Sequence, residues 1–359
     1  MNASQRFDDH IRKVPFSDLD LHDPFFASLR DAYPGFDDWF GKKATNGEET
    51  WVSRDRDSGN LQAMLYLKIE DDLDESAQPP LQGRRMKIGT FKVDYDHHTS
   101  LGKRLLAIAL REFAESRCPY VYVTMFDADN TEGLRGLLEQ YGFSRFGDKG
   151  SEQVWAKNRP SSTGISPYRE FPFISPQRDH AHLLAIIPKY HERMFGDIRL
   201  QSEAHIPVQD EVPTNTIEKI YLSGAYNAAR LRVGDRVVIY RTSDRAGMAR
   251  YRSVVSEICT VAEVRNLNSF EDKEEFFRFI KGRSVFTPEE LEEFWTKKRY
   301  PYVISLLFNF PLRKRPTRQD LLDHNVLAGN NRLTCLPLNT QQFTTILDLG
   351  DADEGYVVD

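Results

Sequence analysis

Two groups of side chains in this chain of 359 residues have the types and spacing to do chemistry. The first is the run Lys92, Val93, Asp94, Asp96, His97, His98, Ser100, Leu101, Gly102, Lys103 and Arg104. Met86–Val93 reads as a strand, and Leu101, Leu105, Ile108, Ala109 and Phe113 recur at helical spacing, so the charged turn joins a strand end to a helix start. A helix start leaves several backbone N–H groups unpaired and aimed at one point, which suits a pyrophosphate. Asp94, Asp96 and His97 at the strand rim can take a proton from an amine. The second group is basic and aromatic: Lys189, Tyr190, Arg193, Arg241 and Arg250, extended by Arg245, Arg252, Arg313, Lys314, Arg315, Arg318, Tyr226, Tyr240 and Tyr251. Cations of this kind neutralise phosphates, and rings of this kind stack on bases.

The surrounding elements must position these groups. In the first part the sequence predicts a strand at His10–Val14, a helix at Pro24–Tyr33, a short helix at Phe36–Lys43 and strands at Thr50–Ser53 and Leu61–Ile69. After the 86–93 strand and a helix over 100–116 come a strand at Tyr120–Phe126 and a helix carrying Leu134, Leu137, Leu138 and Tyr141, which Gly142 stops. The acidic, Pro-Pro-containing segment 71–82 reads as a loop. The second part predicts strands at His182–Ile187, Arg236–Tyr240, Ser253–Val264 and Tyr302–Phe308. It also predicts a helix at 288–298, opened by the capping box Thr287–Glu290 and the staple Phe286–Leu291.

With 40% hydrophobic residues over this length, two domains are expected, each burying its own core. The Pro-, Ser- and Gly-rich stretch after Asn158 sets the boundary: a first domain over 1–158, a linker over 159–178, a second domain over 179–350 and an acidic tail over 351–359. The net charge of −6 is uneven, with 21 basic against 27 acidic side chains up to residue 158 and 27 against 23 over 159–348. The second part is thus mildly basic, which accords with a polyanionic partner. Cys118, Cys259 and Cys335 are too far apart in sequence to suggest a zinc site or a disulfide framework, so reduced thiols and no metal are expected. The sequence lacks an apolar run of membrane-spanning length and an export signal at Met1, so no membrane association and a cytoplasmic location are expected.

Lys87-Ile-Gly-Thr-Phe-Lys-Val93 and the later Leu137-Leu-Glu-Gln-Tyr-Gly-Phe143-Ser-Arg-Phe-Gly147, followed by Glu152–Lys157, resemble the GNAT superfamily of acetyltransferases. The resemblance implies a mixed central sheet flanked by helices, with acetyl-CoA as cofactor. Its CoA loop pattern, Gln/Arg-x-x-Gly-x-Gly/Ala, falls on His97, Ser100 and Gly102. N–H groups from His98 to Lys103 would receive the pyrophosphate, Lys103 or Arg104 would add charge, and Asn130 would touch the pantetheine arm. The family's acid tyrosine falls on Leu138, which leaves Tyr141 as the candidate, with a core aromatic as the alternative.

In the second part, Ala185–Phe195, Ile217–Gly224 and Leu231–Arg241 resemble PUA-like β-barrels of the ASCH and EVE kind. These domains recognise RNA or a modified base. Lys189, Glu192 and Arg193 approximate the ASCH Lys-x-x-Glu-x-Arg element, with the final Arg displaced by one position.

Together the resemblances imply an α/β GNAT domain followed by an α+β PUA-like barrel with inserted helices. The implied activity is acetyl-CoA-dependent N-acetyl transfer to an amine of RNA or an RNA-linked acceptor such as an aminoacyl-tRNA, which would make the chain toxin-like. A homodimer or a partner protein would accompany it. The alternatives are a non-catalytic CoA-sensing or RNA-binding regulator, which Leu138 favours, and a protein N-acetyltransferase.

Overall fold

The computed structural model describes residues 11–55, 58–94, 101–164, 166–178, 180–195, 217–329 and 333–359. Among them are two mixed sheets and eleven α-helices. The chain divides into one unit of 1–109, 118–139 and 143–159, and a second of 110–117, 140–142 and 160–359.

The first unit follows the alternation of apolar residues closely. Its elements are β1 (Arg12–Pro15), α1 (Ala27–Ala32), α2 (Phe36–Thr45), β2 (Glu49–Arg54), β3 (Leu61–Glu70), β4 (Ala77–Gln78), β5 (Arg85–Val93), α3 (Leu101–Ser116), β6 (Tyr120–Phe126), α4 (Glu132–Gln140), β7 (Ser144–Lys149) and β8 (Glu152–Asn158). The helix expected at Pro24–Tyr33 is a 3-10 turn at Pro24–Phe26 running into the short α1, because Pro24 sits at its first position and the Asp23 side chain caps Phe25 N–H. The 71–82 loop contains β4, a two-residue strand on the sheet edge that pairs with β7.

The sheet runs β1-β2-β3-β5-β6-β8-β7-β4, and among the described residues only β5 and β6 are parallel in it. Phe16, Phe26, Phe36 and Phe40 pack with Trp39 and Tyr66 on the α1–α2 side. Edge-to-face contacts at 5.3 Å tie Phe16 to both Phe40 and Tyr66. Each buried phenyl ring contributes about 2 kcal/mol by leaving water. This cluster fixes Tyr66, and Tyr66 in turn shapes β5. Gly142 takes φ +88°, the left-handed conformation that ends α4.

The second unit contains α5 (Pro167–Glu170), β9 (Ala181–Ile186), α6 (Pro188–Met194), β10 (Glu218–Ser223), β11 (Arg236–Arg241), α7 (Ala249–Arg252), β12 (Val254–Asn266), α8 (Lys273–Ile280), α9 (Pro288–Lys297), β13 (Tyr302–Pro311), α10 (Arg318–Asp323), β14 (Cys335–Leu338) and α11 (Thr340–Leu349). Its sheet order is β10-β13-β12-β11-β9-β14, with β9 and β11 parallel. The ladder does not close between β10 and β14 among the described residues, so the expected barrel is a six-stranded sheet here. Leu184, Ile186, Val237, Ile239, Val261 and Leu306 build one core, and Ile220, Phe276, Phe286, Leu291 and Phe294 build another under α8 and α9. The capping box at Thr287 and Glu290 forms as the sequence predicts.

Two segments differ from their compositional reading. In the 159–178 stretch, Phe171, Phe173, Ile174 and Ser175 are fully buried, and Ile174 N–H bonds to Tyr356 O at 2.9 Å. In the acidic 351–359 stretch, Tyr356 is buried and stacks on Phe310 at 4.2 Å. A few aromatic and aliphatic side chains outweigh the surrounding Pro, Ser and Asp once a core is available to receive them.

Candidate functional site

In the first unit the parallel pairing of β5 and β6 covers Met86–Val121, Lys87–Tyr122 and Ile88–Val123. Beyond Ile88 and Val123 the two strands part: among the described residues β5 continues against β3 alone, and β6 against β8 alone. The parting coincides with a bulge. Tyr66 of β3 lies opposite Thr90 and Leu67 opposite Ile88, which leaves Gly89 as the extra residue and bends β5 away. A Cβ on Gly89 would stand 2.7 Å from Tyr66 Cδ1, so only glycine lets the ring lie there. The result is a notch whose walls are strand backbone, with Val93 and Phe126 at its open end.

The residues expected around this junction are placed as follows. Asp94 is half-buried and its N–H donates to Gln62 O at 2.8 Å. Lys92 donates to Phe25 O and to Ser28 Oγ, the latter at 2.5 Å, and lies 4.5 Å from the Phe25 ring. Burial lowers the Lys92 pKa, with Asp94 acting in the opposite sense. Val93 pairs with Ala63. Leu101 and Arg104 in the first turn of α3 are buried, Gly102 and Lys103 are half-buried, and a Cβ on Gly102 would meet only Leu137 at 3.6 Å. Asp96, His97, His98 and Ser100 lie outside the described residues. Asn130 is exposed in the 3-10 turn before α4.

Tyr141 is fully buried, with edge contacts to Tyr168 at 5.7 Å and Phe171 at 5.9 Å, and it groups with the second unit. Burial raises its pKa. An interior phenol of this kind suits packing rather than proton exchange with a substrate. Leu138 is buried as well.

Sequence reasoning passed over one pair at the notch. Tyr33, just after α1, donates its hydroxyl to Glu152 Oε1 at 2.8 Å and packs its ring 5.3 Å from Phe126. Glu152 opens β8 directly across from Phe126. Burial, then the Glu152 carboxylate, raise the Tyr33 pKa. Half-buried Lys87, one residue before the parting, has its pKa lowered by burial and then by Lys149. The notch therefore has a carboxylate, a phenol and a desolvated ammonium on its α1–α2 side. The two partners in the Tyr33–Glu152 bond are 119 residues apart, so no local pattern announces it.

In the second unit the basic residues have unequal fates. Lys189, Tyr190 and Arg193 of α6 all turn onto one carboxylate: Glu290 accepts from Lys189, from Tyr190 Oη at 3.2 Å and from Arg193 at 3.2 Å. Burial, then Glu290, push Tyr190 up to about 12. Arg241 is buried and its guanidinium meets Glu192 at 2.8 Å. Arg250, by contrast, is exposed on α7, and no carboxylate meets its guanidinium among the described residues.

Next to α7 is a cavity of about 380 Å³, lined by Tyr240, Thr242, Ser243, Arg245, Ser253 and Arg318 among others. Asp244 also lines it, but both its oxygens are held by Arg252 at 2.6 Å, and that guanidinium lowers the Asp244 pKa to about 2.

Behind α6 lies a buried polar knot. His191 Nε2 is 2.8 Å from Ser256 Oγ and 3.0 Å from Glu257 Oε2, and the Ser256 hydroxyl donates to the same Glu257 oxygen at 2.5 Å. Serine and carboxylate share one ring nitrogen, so the carboxylate does not orient the far nitrogen as a hydrolytic triad requires. The knot pins α6 to β12.

No protein-family model matches the chain, and no curated protein matches it. Among solved structures it is similar to the ZmASCH protein of Zymomonas mobilis, at 8% identity and a TM-score of 0.31 over 49% of this chain and 99% of that one. It is also similar to a GNAT-family acetyltransferase of Staphylococcus aureus, at 14% identity and 0.30 over 42% and 99%. A third is human THYN1 bound to DNA containing 5-methylcytosine, at 13% identity and 0.28 over 48% and 98%.

Proposed function

We propose that the first unit is a GNAT-type N-acetyltransferase domain using acetyl-CoA, and that the second is a PUA-like domain contacting RNA or an RNA-linked acceptor. The parting of β5 and β6 at the Gly89 bulge carries the first half. Strand backbone freed in this way, followed by the start of α3, suits an extended amide-bearing arm ending in a pyrophosphate. In this reading the arm lies along Gly89–Val93, and the first turn of α3 with Lys103 and Arg104 receives the phosphates together with His97, His98 and Ser100. Asn130 would touch the arm near α4.

Asp94 and Asp96 remain the proposed carboxylates for the amine proton, joined by Glu152, whose Tyr33 partner keeps it oriented. Acetyl transfer moves the acyl carbon from sulfur to the amine nitrogen. The amine loses one proton to a carboxylate and the CoA thiolate gains one.

Calorimetric titration of the full chain with acetyl-CoA tests the first half, and absence of binding heat would sink it. CoA release in total cell RNA, compared with RNase-treated RNA, tests the second. Loss of turnover on RNase treatment is expected, whereas RNase-insensitive turnover would indicate a protein acceptor.

One observation favours a non-catalytic CoA sensor: buried Leu138 stands where the resemblance places the acid tyrosine. That reading predicts acetyl-CoA binding with no product from any RNA.

A further inference from the structure

The cavity beside α7 combines three features. First, it has cations to spare. Arg245 and Arg318 line it and Arg250 stands on the adjoining helix, and none of the three guanidinia meets a carboxylate among the described residues. The one lining carboxylate, Asp244, is spent on Arg252. Second, it has a hydroxyl floor. Tyr240 is 1% exposed, and its hydroxyl lies beside Ser253 and Arg318, both of which act against the burial that raises its pKa. A phenol both donates and accepts, so a polar group entering the cavity can take a further hydrogen bond from this one. Third, the frame is held by backbone hydrogen bonds. Arg318 N–H bonds to Ser253 O at 2.9 Å, Val255 N–H to Pro316 O at 2.9 Å, and Thr242 N–H to Ile186 O at 2.9 Å. Tyr251, 67% exposed, presents a ring on the adjoining α7.

We propose that this cavity holds one nucleotide of a single-stranded RNA. Its phosphate lies between Arg245 and Arg318, its sugar or base edge bonds the Tyr240 hydroxyl, and its neighbour stacks on Tyr251. The volume falls within the range of small-molecule sites, and the guanidinium fork matches phosphate oxygens in pairs. The inference rests on the RNA-binding reading of the second unit for its class of ligand. It moves the contact from α6, whose cations are occupied by Glu290, to the 242–253 segment.

The test uses the full chain and fluorescence anisotropy with a short 5′-phosphorylated single-stranded RNA, with competition by adenosine monophosphate, adenosine and inorganic phosphate. The double variant Arg245→Gln/Arg318→Gln is expected to weaken RNA binding at least tenfold and to lower the slope of log affinity against log salt by about 0.7, as for one phosphate. Tyr240→Phe is expected to weaken it about fivefold with the slope unchanged. Lys297→Gln, on α9, is expected to change nothing. Adenosine monophosphate should compete better than either adenosine or phosphate alone.

If the wild-type chain binds RNA and the double variant binds it equally, the cavity is not the site, while the RNA reading stands. If the chain binds adenosine monophosphate through these arginines but no RNA, the RNA reading fails and the inference is overturned in favour of a free nucleotide site. If neither probe binds, both fall. Should the double variant melt early, Arg245→Gln alone, on an exposed turn, gives the same reading.

Discussion

The notch in the first sheet and the cavity beside α7 are built from opposite materials. The notch is backbone: two parallel strands pair as far as Ile88 and Val123 and then part because Gly89 is an extra residue under the Tyr66 ring. The cavity is side chain: arginines and hydroxyls stand on a short turn and a short helix, with strand ends fixing their bases. A site made of backbone cannot be altered without altering the fold, so mutations there should register first as lost stability. A site made of surface side chains can be emptied of chemistry while the fold stays intact. The predictions below break or sharpen that contrast.

The largest effect is expected at Gly89. Gly89→Val places carbon where Tyr66 Cδ1 lies 2.7 Å away, and Tyr66 cannot retreat from Phe16 and Trp39 or from its bond to Glu48. Urea unfolding should show a loss of about 3 kcal/mol, together with reduced acetyl-CoA heat. A fully stable variant would show that the bulge is not enforced by packing.

Next is Glu290→Ala, which removes the acceptor of Lys189, Tyr190 and Arg193 and one half of a capping box. A loss of about 2 kcal/mol in the same assay is expected, with RNA affinity retained or raised as the α6 cations are released. A fall in RNA affinity with the fold intact would place the contact on α6 after all.

Tyr33→Phe should cost about 1 kcal/mol and lower the rate of acetyl transfer without changing the acetyl-CoA heat, since the phenol orients Glu152 rather than the cofactor. An unchanged rate would remove Glu152 from the site.

A smaller effect is expected from pH at the cavity rim. Arg252 holds the Asp244 carboxyl near 2, below the ordinary carboxylate range. A carboxyl depressed by folding stabilises the folded form above its ordinary pKa, and that contribution is lost as pH falls through the folded value. Pepsin cleavage within 242–252 should therefore accelerate as pH drops from about 4 to about 2, and Asp244→Asn should remove the dependence. The smallest change in stability is expected for Arg250→Gln, within about 0.5 kcal/mol, because the side chain is exposed and meets no carboxylate among the described residues.

Much of the secondary structure was legible in the sequence because period and caps are local. Tyr120–Phe126 is a strand over the expected residues, and the Thr287–Glu290 box starts α9 where its spacing says. Other features were hidden for physical reasons. Phe171–Ser175 looked like linker because its burial depends on partners such as Tyr356, nearly two hundred residues on. α8 and α11 lie in charged or polar stretches where a narrow apolar stripe, Phe276 with Ile280 and Phe343 with Ile346 and Leu347, is diluted by its neighbours.

The candidate sites divide along the same line. Composition and spacing by themselves determined that this chain carries a strand ending at Val93, a helix over the residues after Leu101, and a second half with a slight excess of cations. None of these depends on distant contacts. Tertiary structure alone decided that Gly89 is the residue that opens the notch, that Glu152 meets Tyr33 there and that Tyr141 lies in the interior. It also decided which of the arginines and lysines are already spent. Lys189 and Arg250 have the same charge in the sequence. They differ because Glu290 folds back onto one and, among the described residues, no carboxylate reaches the other, and the availability of a charge is set by its neighbours in space.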